Sequence, residues 1–244
     1  MFSLRLRNFT LENNTSIKTP KIISKKLRDK LFFLQEAGRN HTEVGSFWPS
    51  SRFLSSELTS IIKDKGDNRR ILEVGPGVGP VTIEILKKLS PNDKLTICEI
   101  NEPLLERLKV KLQTNPLFIK HKNNIEFYLG PVQDLAKEKI NRGEKFDLII
   151  SSLPFSIFPS SLVDEIFALY WELLSPTGSI SFFEYLLIRK ARALFQVSKS
   201  GKLAKEVESV VTKWKNFCKQ HGTVQSHAVF FNIPPAQVIK LIKN

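Results

Sequence analysis

The sequence predicts an α/β fold, a mostly parallel sheet with helices on both faces. Three observations carry this. From residue 70 onward, short β-type runs alternate with segments of helical periodicity. The chain's 244 residues are 41% hydrophobic, enough for one buried core and an appendage but not for two full-sized domains. A glycine-rich turn also falls between the first β run and the helix after it, where sheets of this class bind ligands.

Taken in order, the first element is a helix from Thr19, a suitable N-cap followed by Pro20, to a stop at Gly38. Ile23, Leu27, Leu31 and Leu34 form its apolar stripe, while Lys18, Lys21, Lys25, Lys26, Arg28 and Lys30 crowd the same segment. Such a basic amphipathic helix reads either as an interfacial membrane binder or as a helix packed on the body with a solvated basic face. A second helix, roughly 50–63, is expected to bury Phe53, Leu54, Leu58, Ile61 and Ile62. Residues 70–74 form the first strand, followed by a helix at about 80–89, a strand at Lys94–Glu99 and a helix at about 102–113. Ile125–Leu129 and Asp147–Ser151 are the third and fourth strands. A helix at about 160–174 leads through Pro176-Thr177-Gly178 to a fifth strand containing Phe182 and Phe183. A basic stretch after residue 186 precedes a helix with Leu203, Val207, Val210, Val211, Trp214, Phe217 and Cys218 on one face, ending near Gly222. Val224–Asn232 alternates like a strand, and Pro234-Pro235 breaks it before a short terminal helix.

Charge divides the chain. Residues 1–40 carry nine Lys/Arg against three Asp/Glu, residues 41–185 carry 17 against 19, and residues 186–244 carry 11 against two. We therefore separate an N-terminal basic segment, 1–40, from a catalytic body, 41–244. The two basic ends suggest a polyanionic partner, either nucleic acid or anionic lipid. Cys98 and Cys218 stand far apart without metal-ligand spacing, so neither a disulfide nor a metal site is expected. No stretch is long and apolar enough to span a bilayer, and the start lacks a secretory apolar core. A cytoplasmic protein, attached to a membrane at most from its surface, is the expectation.

The informative segment is ILEVGPGVGPVTIEIL, residues 71–86. Gly75, Gly77 and Gly79 let the turn pass close beneath a ligand. Glu99 ends the next strand, 20 residues beyond Gly79, where an acid accepts hydrogen bonds from both hydroxyls of a ribose. Glu73, just before the turn, suits a positively charged group.

Together with LTICEIN at 95–101, this segment resembles motif I and the acidic strand end of class I methyltransferases dependent on S-adenosyl-L-methionine (SAM). It is similar in particular to bacterial phospholipid N-methyltransferases and to the rRNA adenine dimethylase-like group. FDLIISSLPF (146–155) resembles their fourth strand and loop, and the Pro-Thr-Gly turn before SISFFEY their approach to strand five. The resemblance covers about residues 30–240. It implies a Rossmann-like fold with a seven-stranded sheet and SAM as cofactor. It places Glu73 at the methionine end of SAM, Glu99 on the ribose, and Ile100 and Ser151 among the cofactor-binding positions. The Gly-Asp usual after strand three is replaced here by Gly130-Pro131-Val132-Gln133-Asp134, so the adenine contact falls to Gln133, Asp134 or the Val132 backbone.

The subfamilies part at the loop after strand four. Adenine dimethylases carry Asn-x-Pro-Tyr/Phe there, whereas this chain has Ser152-Leu153-Pro154-Phe155, nearer to the phospholipid enzymes. Pro-Ser-Ser-Arg at 49–52 and Asn-Ile-Pro-Pro-Ala at 232–236 resemble that family's flanking segments. The resemblance thus implies transfer of methyl groups to the amine of phosphatidylethanolamine at an anionic membrane surface, with an RNA adenine as the alternative acceptor. Ser152 hydroxyl and Leu153 carbonyl are the amine-orienting candidates, and His41, Glu184 and Tyr185 the candidate proton acceptors. Phe47, Trp48 and Phe155 either wall the site, favouring a cationic amine, or pack in the core.

Overall fold

A computed structural model describes residues 52–63, 67–155, 158–186, 201–232 and 235–243, with the backbone alone described over 201–208. The expected helix at 19–38, the whole of segment 1–40, and His41, Phe47 and Trp48 lie outside the described residues, as does the basic stretch 187–200.

Helix α1 (Arg52–Leu58) continues into a 3-10 turn, Thr59–Ile61. There follow β1 (Arg70–Val74), α2 (Pro80–Leu86), β2 (Lys94–Glu99), α3 (Glu102–Gln113) and α4 (Pro116–His121). Next come β3 (Ile125–Leu129), α5 (Val132–Asn141), β4 (Phe146–Ser151), α6 (Ser160–Leu173) and β5 (Leu174–Tyr185). Helix α7 (Gly201–His221) leads directly into β6 (Gly222–Val229), and β7 (Ala236–Lys243) is last.

Among the described residues seven strands form one sheet in the order β3-β2-β1-β4-β5-β7-β6. The first five are parallel, and β7 runs antiparallel to both β5 and β6. Alternate strand residues feed two cores. Leu72, Val74, Ile149 and Phe182 pack beneath α5, α6 and α7. Ile71, Ile97, Ile150 and Phe183 pack beneath α1, α2 and α3. This period-two division puts helices on both faces, as the alternation predicts. Strands β2 and β3 build outward on one side of β1, and the chain then crosses from β3 to β4 on the other side. The carboxyl ends of β1 and β4 therefore flank the crevice where an open parallel sheet takes its ligand.

Three expectations are corrected. The terminal helix is strand β7, whose Val238, Ile239 and Leu241 are buried because it lies inside the sheet between β5 and β6. The strand expected over Val224–Asn232 ends at Val229, and Phe230-Phe231 form the turn beyond it. Phe53 is 56% exposed, since the short α1 buries Leu54 and Leu58 and leaves position 53 off that face. Of the two uses left open for Phe155, the structure shows core packing: it is fully buried, its ring 4.9 Å from Phe167 and 5.7 Å from Phe182. Helix α5 joins β3 and β4, which the sequence reading leaves directly linked, and α4 is a second helix after α3 between β2 and β3.

Candidate cofactor and acceptor site

Three loops meet at the carboxyl edge of the sheet because each is tied to a neighbouring strand. Gly75 N–H donates to the Cys98 carbonyl (2.9 Å), Gly130 N–H to the Glu99 carbonyl (2.9 Å), and Ser152 N–H to the Val74 carbonyl (2.8 Å). The backbone thus carries the ladder one residue beyond β1, β3 and β4 and aligns the turns that follow.

All three turn glycines have positive φ: Gly75 at 70°, Gly77 at 55° and Gly79 at 84°. Two of them matter for different reasons. A Cβ on Gly79 would lie 2.3 Å from Leu108 Cδ1, so the bare backbone lets α2 start tight against α3. A Cβ on Gly77 would meet nothing within 4 Å, which marks open space above the turn. Val78 is 43% exposed there, and Lys111 of α3 holds its carbonyl at 2.9 Å.

Glu99 closes the crevice from the β2 side. Its Oε1 accepts N–H bonds from Ile100 (2.8 Å) and Asn101 (2.9 Å), and Oε2 accepts one from Gly77 (3.2 Å). Burial pushes this carboxyl above the usual range, while the three N–H donors pull against that shift. Asn101 also caps α3 by accepting from Leu104 N–H. Ile100 therefore contributes backbone, its side chain half-buried.

Glu73 has no exposed surface; Oε1 accepts from the Thr82 hydroxyl at 3.0 Å and Oε2 has no partner. Burial pushes its carboxyl up to about 8, with the nearby Glu99 adding to the shift, so it is neutral at pH 7. Thr82, overlooked in the sequence, shows there only as a polar residue among the apolar positions of α2.

Beyond β3, Val132 and Gln133 are buried at the start of α5, and Asp134 is half-buried on its first turn. Beyond β4, the Ser151 hydroxyl accepts from Tyr170 at 3.1 Å and is turned into the core under α6. What Ser151 offers the crevice is its place at the strand end. Ser152 Oγ is buried without a partner. Its neighbour Leu153 leans over the glycine turn, with Cδ2 3.0 Å from where a Gly75 Cβ would stand. The Leu153 carbonyl already accepts from Phe155 N–H at 2.9 Å, leaving one lone pair.

Glu184 and Tyr185 end β5 on opposite faces of the sheet. Glu184 is buried beneath α7, with Lys215 at 3.4 Å. Tyr185 packs on Phe183, ring centroids 5.0 Å apart, on the other face. Burial raises the Tyr185 hydroxyl, so it remains a phenol around neutral pH. The structure thus gathers Gly75, Gly77, Gly79, Glu99, Ser152 and Leu153, and separates Glu184 from Tyr185.

This crevice fits SAM. It offers open space above Gly77, a carboxylate at the end of β2, and two buried polar atoms, Glu73 Oε2 and Ser152 Oγ, left without partners beside the turn. Comparison with known proteins agrees. Residues 71–178 match the family model described as "Methyltransferase domain". The chain is 29% identical over 157 residues to the ornithine lipid N-methyltransferase of Singulisphaera acidiphila, covering 64% of this chain and 77% of that protein. It is 32% identical over 97 residues to the ribosomal RNA small subunit methyltransferase A of Mycoplasma mycoides, covering 39% of this chain but 33% of that one. In fold it is similar to an O-methyltransferase of tomaymycin synthesis from Streptomyces achromogenes, solved with SAM. The TM-score is 0.57 at 15% identity, covering 91% of this chain and 100% of the other. Strand order, glycine turn and the family model over residues 71–178 agree on a class I, SAM-dependent methyltransferase fold for that segment.

Proposed function

We propose that the protein transfers methyl groups from SAM to the primary amine of a membrane lipid, with phosphatidylethanolamine as the expected acceptor. The observation that supports this best is the extent of likeness to the ornithine lipid N-methyltransferase, which reaches across 77% of that enzyme. Likeness to the ribosomal RNA enzyme stops at a third of its length. The loop after β4 supports the same acceptor. It presents hydroxyl and carbonyl groups from Ser152 and Leu153, and no side-chain amide to grip a purine edge.

When bound, SAM supplies an electrophilic methyl carbon on a sulfonium. Glu99 is the group to accept hydrogen bonds from the cofactor's ribose, and the start of α5, at Val132, Gln133 and Asp134, is the place for its adenine. Glu73, covered and neutral, supports the turn from beneath. A lipid amine resembles a lysine, with a pKa of about 10.4 in water, so it must lose a proton before its lone pair can attack. In this reading Ser152 Oγ, buried and without a partner, and the remaining lone pair of Leu153 O accept N–H bonds and aim the nitrogen. Holding nitrogen and methyl carbon within about 3–3.5 Å is the chain's main catalytic task. Tyr185, as a phenol, is suited to orient rather than deprotonate. Glu184, paired with Lys215, lies on the far face from it.

The test is to supply labelled SAM with two acceptors in parallel, phosphatidylethanolamine in anionic vesicles and unmethylated ribosomal RNA. Label in mono-, di- or trimethylated lipid is expected. Label in RNA alone replaces this acceptor with the adenine reading.

A further inference from the structure

Beyond the crevice, three of the most exposed aromatic side chains converge at one point. Phe230 and Phe231, at the turn between β6 and β7, are 72% and 79% exposed, and Phe53 on α1 is 56% exposed. The Phe53 and Phe231 rings lie 5.4 Å apart. Leaving such surface in water is unfavourable, and α1 and the hairpin are nonetheless pinned together there: Glu57 accepts hydrogen bonds from both His227 of β6 and Lys240 of β7. The other large exposed apolar side chains among the described residues are Val78 in the glycine turn and Val110 and Ile119, which sit on α3 and α4.

The topology fixes where this aromatic tip points. Strand β7 is antiparallel to both β5 and β6, so β6 runs in the direction of β5. Val229 pairs with Ala236, which pairs with Tyr185. Phe230 and Phe231 therefore leave the sheet at the edge that carries the glycine turn, Glu99 and Ser152–Pro154. Arg52 is exposed beside Phe53, and the segment bearing the hairpin, 186–244, has 11 Lys/Arg against two acids. A protruding aromatic tip in a cationic setting is complementary to an anionic lipid surface, with rings among the acyl chains and cations at the headgroups.

We propose that Phe53, Phe230 and Phe231 form a membrane-insertion tip that seats the crevice over the headgroup layer. This deepens the lipid-acceptor reading and rests on it. The full chain carrying Phe230→Ser and Phe231→Ser is compared with wild type, and with Ile119→Ser as control. Sedimentation is measured with phosphatidylethanolamine–phosphatidylglycerol vesicles in the absence of SAM. Removing two partly inserted rings is expected to weaken partitioning by roughly 10- to 100-fold, with the Ile119 variant and SAM affinity unchanged. In a second measurement, Phe231→Trp is expected to gain a blue-shifted emission component when vesicles are added. Undiminished partitioning with no such shift overturns the proposal. If the double serine variant instead changes its association state, the tip contacts a second copy; if only its unfolding temperature changes, residues of its own chain cover it. Either result at unchanged partitioning also overturns it. Methyl transfer separates this inference from its premise. Lipid methylated equally by wild type and the double variant removes the tip and keeps the acceptor. Vesicle binding lost in the variant, with no lipid methylated by wild type, supports the tip and removes the acceptor.

Discussion

Around the glycine turn, each residue's contribution is set by what its backbone permits and what covers it. Gly77 has φ of 55° and open space above it, so a side chain there meets both backbone strain and the cofactor's volume. Gly77→Arg is expected to weaken SAM binding by about 100-fold or more, roughly 2.7 kcal/mol, in an isothermal titration. Wild-type affinity in that variant would remove the turn from the cofactor site. Glu73 makes a different prediction. Its carboxyl is raised by burial to about 8, so the folded state holds a proton that the unfolded chain releases near 4.5. The stability this contributes is full below about pH 4.5 and lost as pH rises through about 8, with a limiting slope of about 1.4 kcal/mol per pH unit. Glu99, also raised, acts with the same sign. Stability of wild type against denaturant should therefore fall between pH 5 and 8, and Glu73→Gln should flatten much of that decline. Parallel pH profiles for the two proteins would show that Glu73 is ionised in the fold.

Most elements bounded by turn or cap residues were legible in the sequence, and two, β7 and α5, were not. Strands β2 and β3 and helix α3 occur where the sequence places them, because short apolar runs there are bounded by turn and cap residues. Strand β7 reads as a helix from sequence because Val238, Ile239, Leu241 and Ile242 fit a helical stripe as well as a strand covered from both sides. Helix α5 shows a stripe too, at Val132, Leu135, Ala136 and Lys139, hidden behind the loop-like Gly130-Pro131. The cofactor side of the site was readable since glycines and an acid at fixed spacing have few other uses. The packing side was not: Thr82 under Glu73, Tyr170 on Ser151 and Lys215 beside Glu184 meet their partners only once helices fold onto the sheet. Strand β7 matters energetically. Ile239 is fully buried between β5 and β6, so Ile239→Ala should cost about 2–5 kcal/mol in chemical unfolding. A cost below 1 kcal/mol would indicate that the strand is not part of the cooperative core.

Across the whole molecule, basic ends flank a nearly neutral body, and an exposed aromatic tip stands at the site's edge of the sheet. No helix of the described residues is long and apolar enough to cross a membrane. Reversing the charges of Lys21, Lys25 and Lys26 together should weaken sedimentation with anionic vesicles, increasingly so as ionic strength falls, and leave SAM affinity intact. Unchanged sedimentation would remove the N-terminal segment from membrane attachment. The central claim is that Glu99 and the glycine turn hold SAM for transfer to a lipid amine. Its most direct test is the initial rate of labelled methyl transfer to vesicle phosphatidylethanolamine by wild type and by Glu99→Ala. Wild type should label the lipid, and the variant should lose nearly all of that rate. An unlabelled lipid pool with wild type, or an undiminished rate with the variant, would contradict the account.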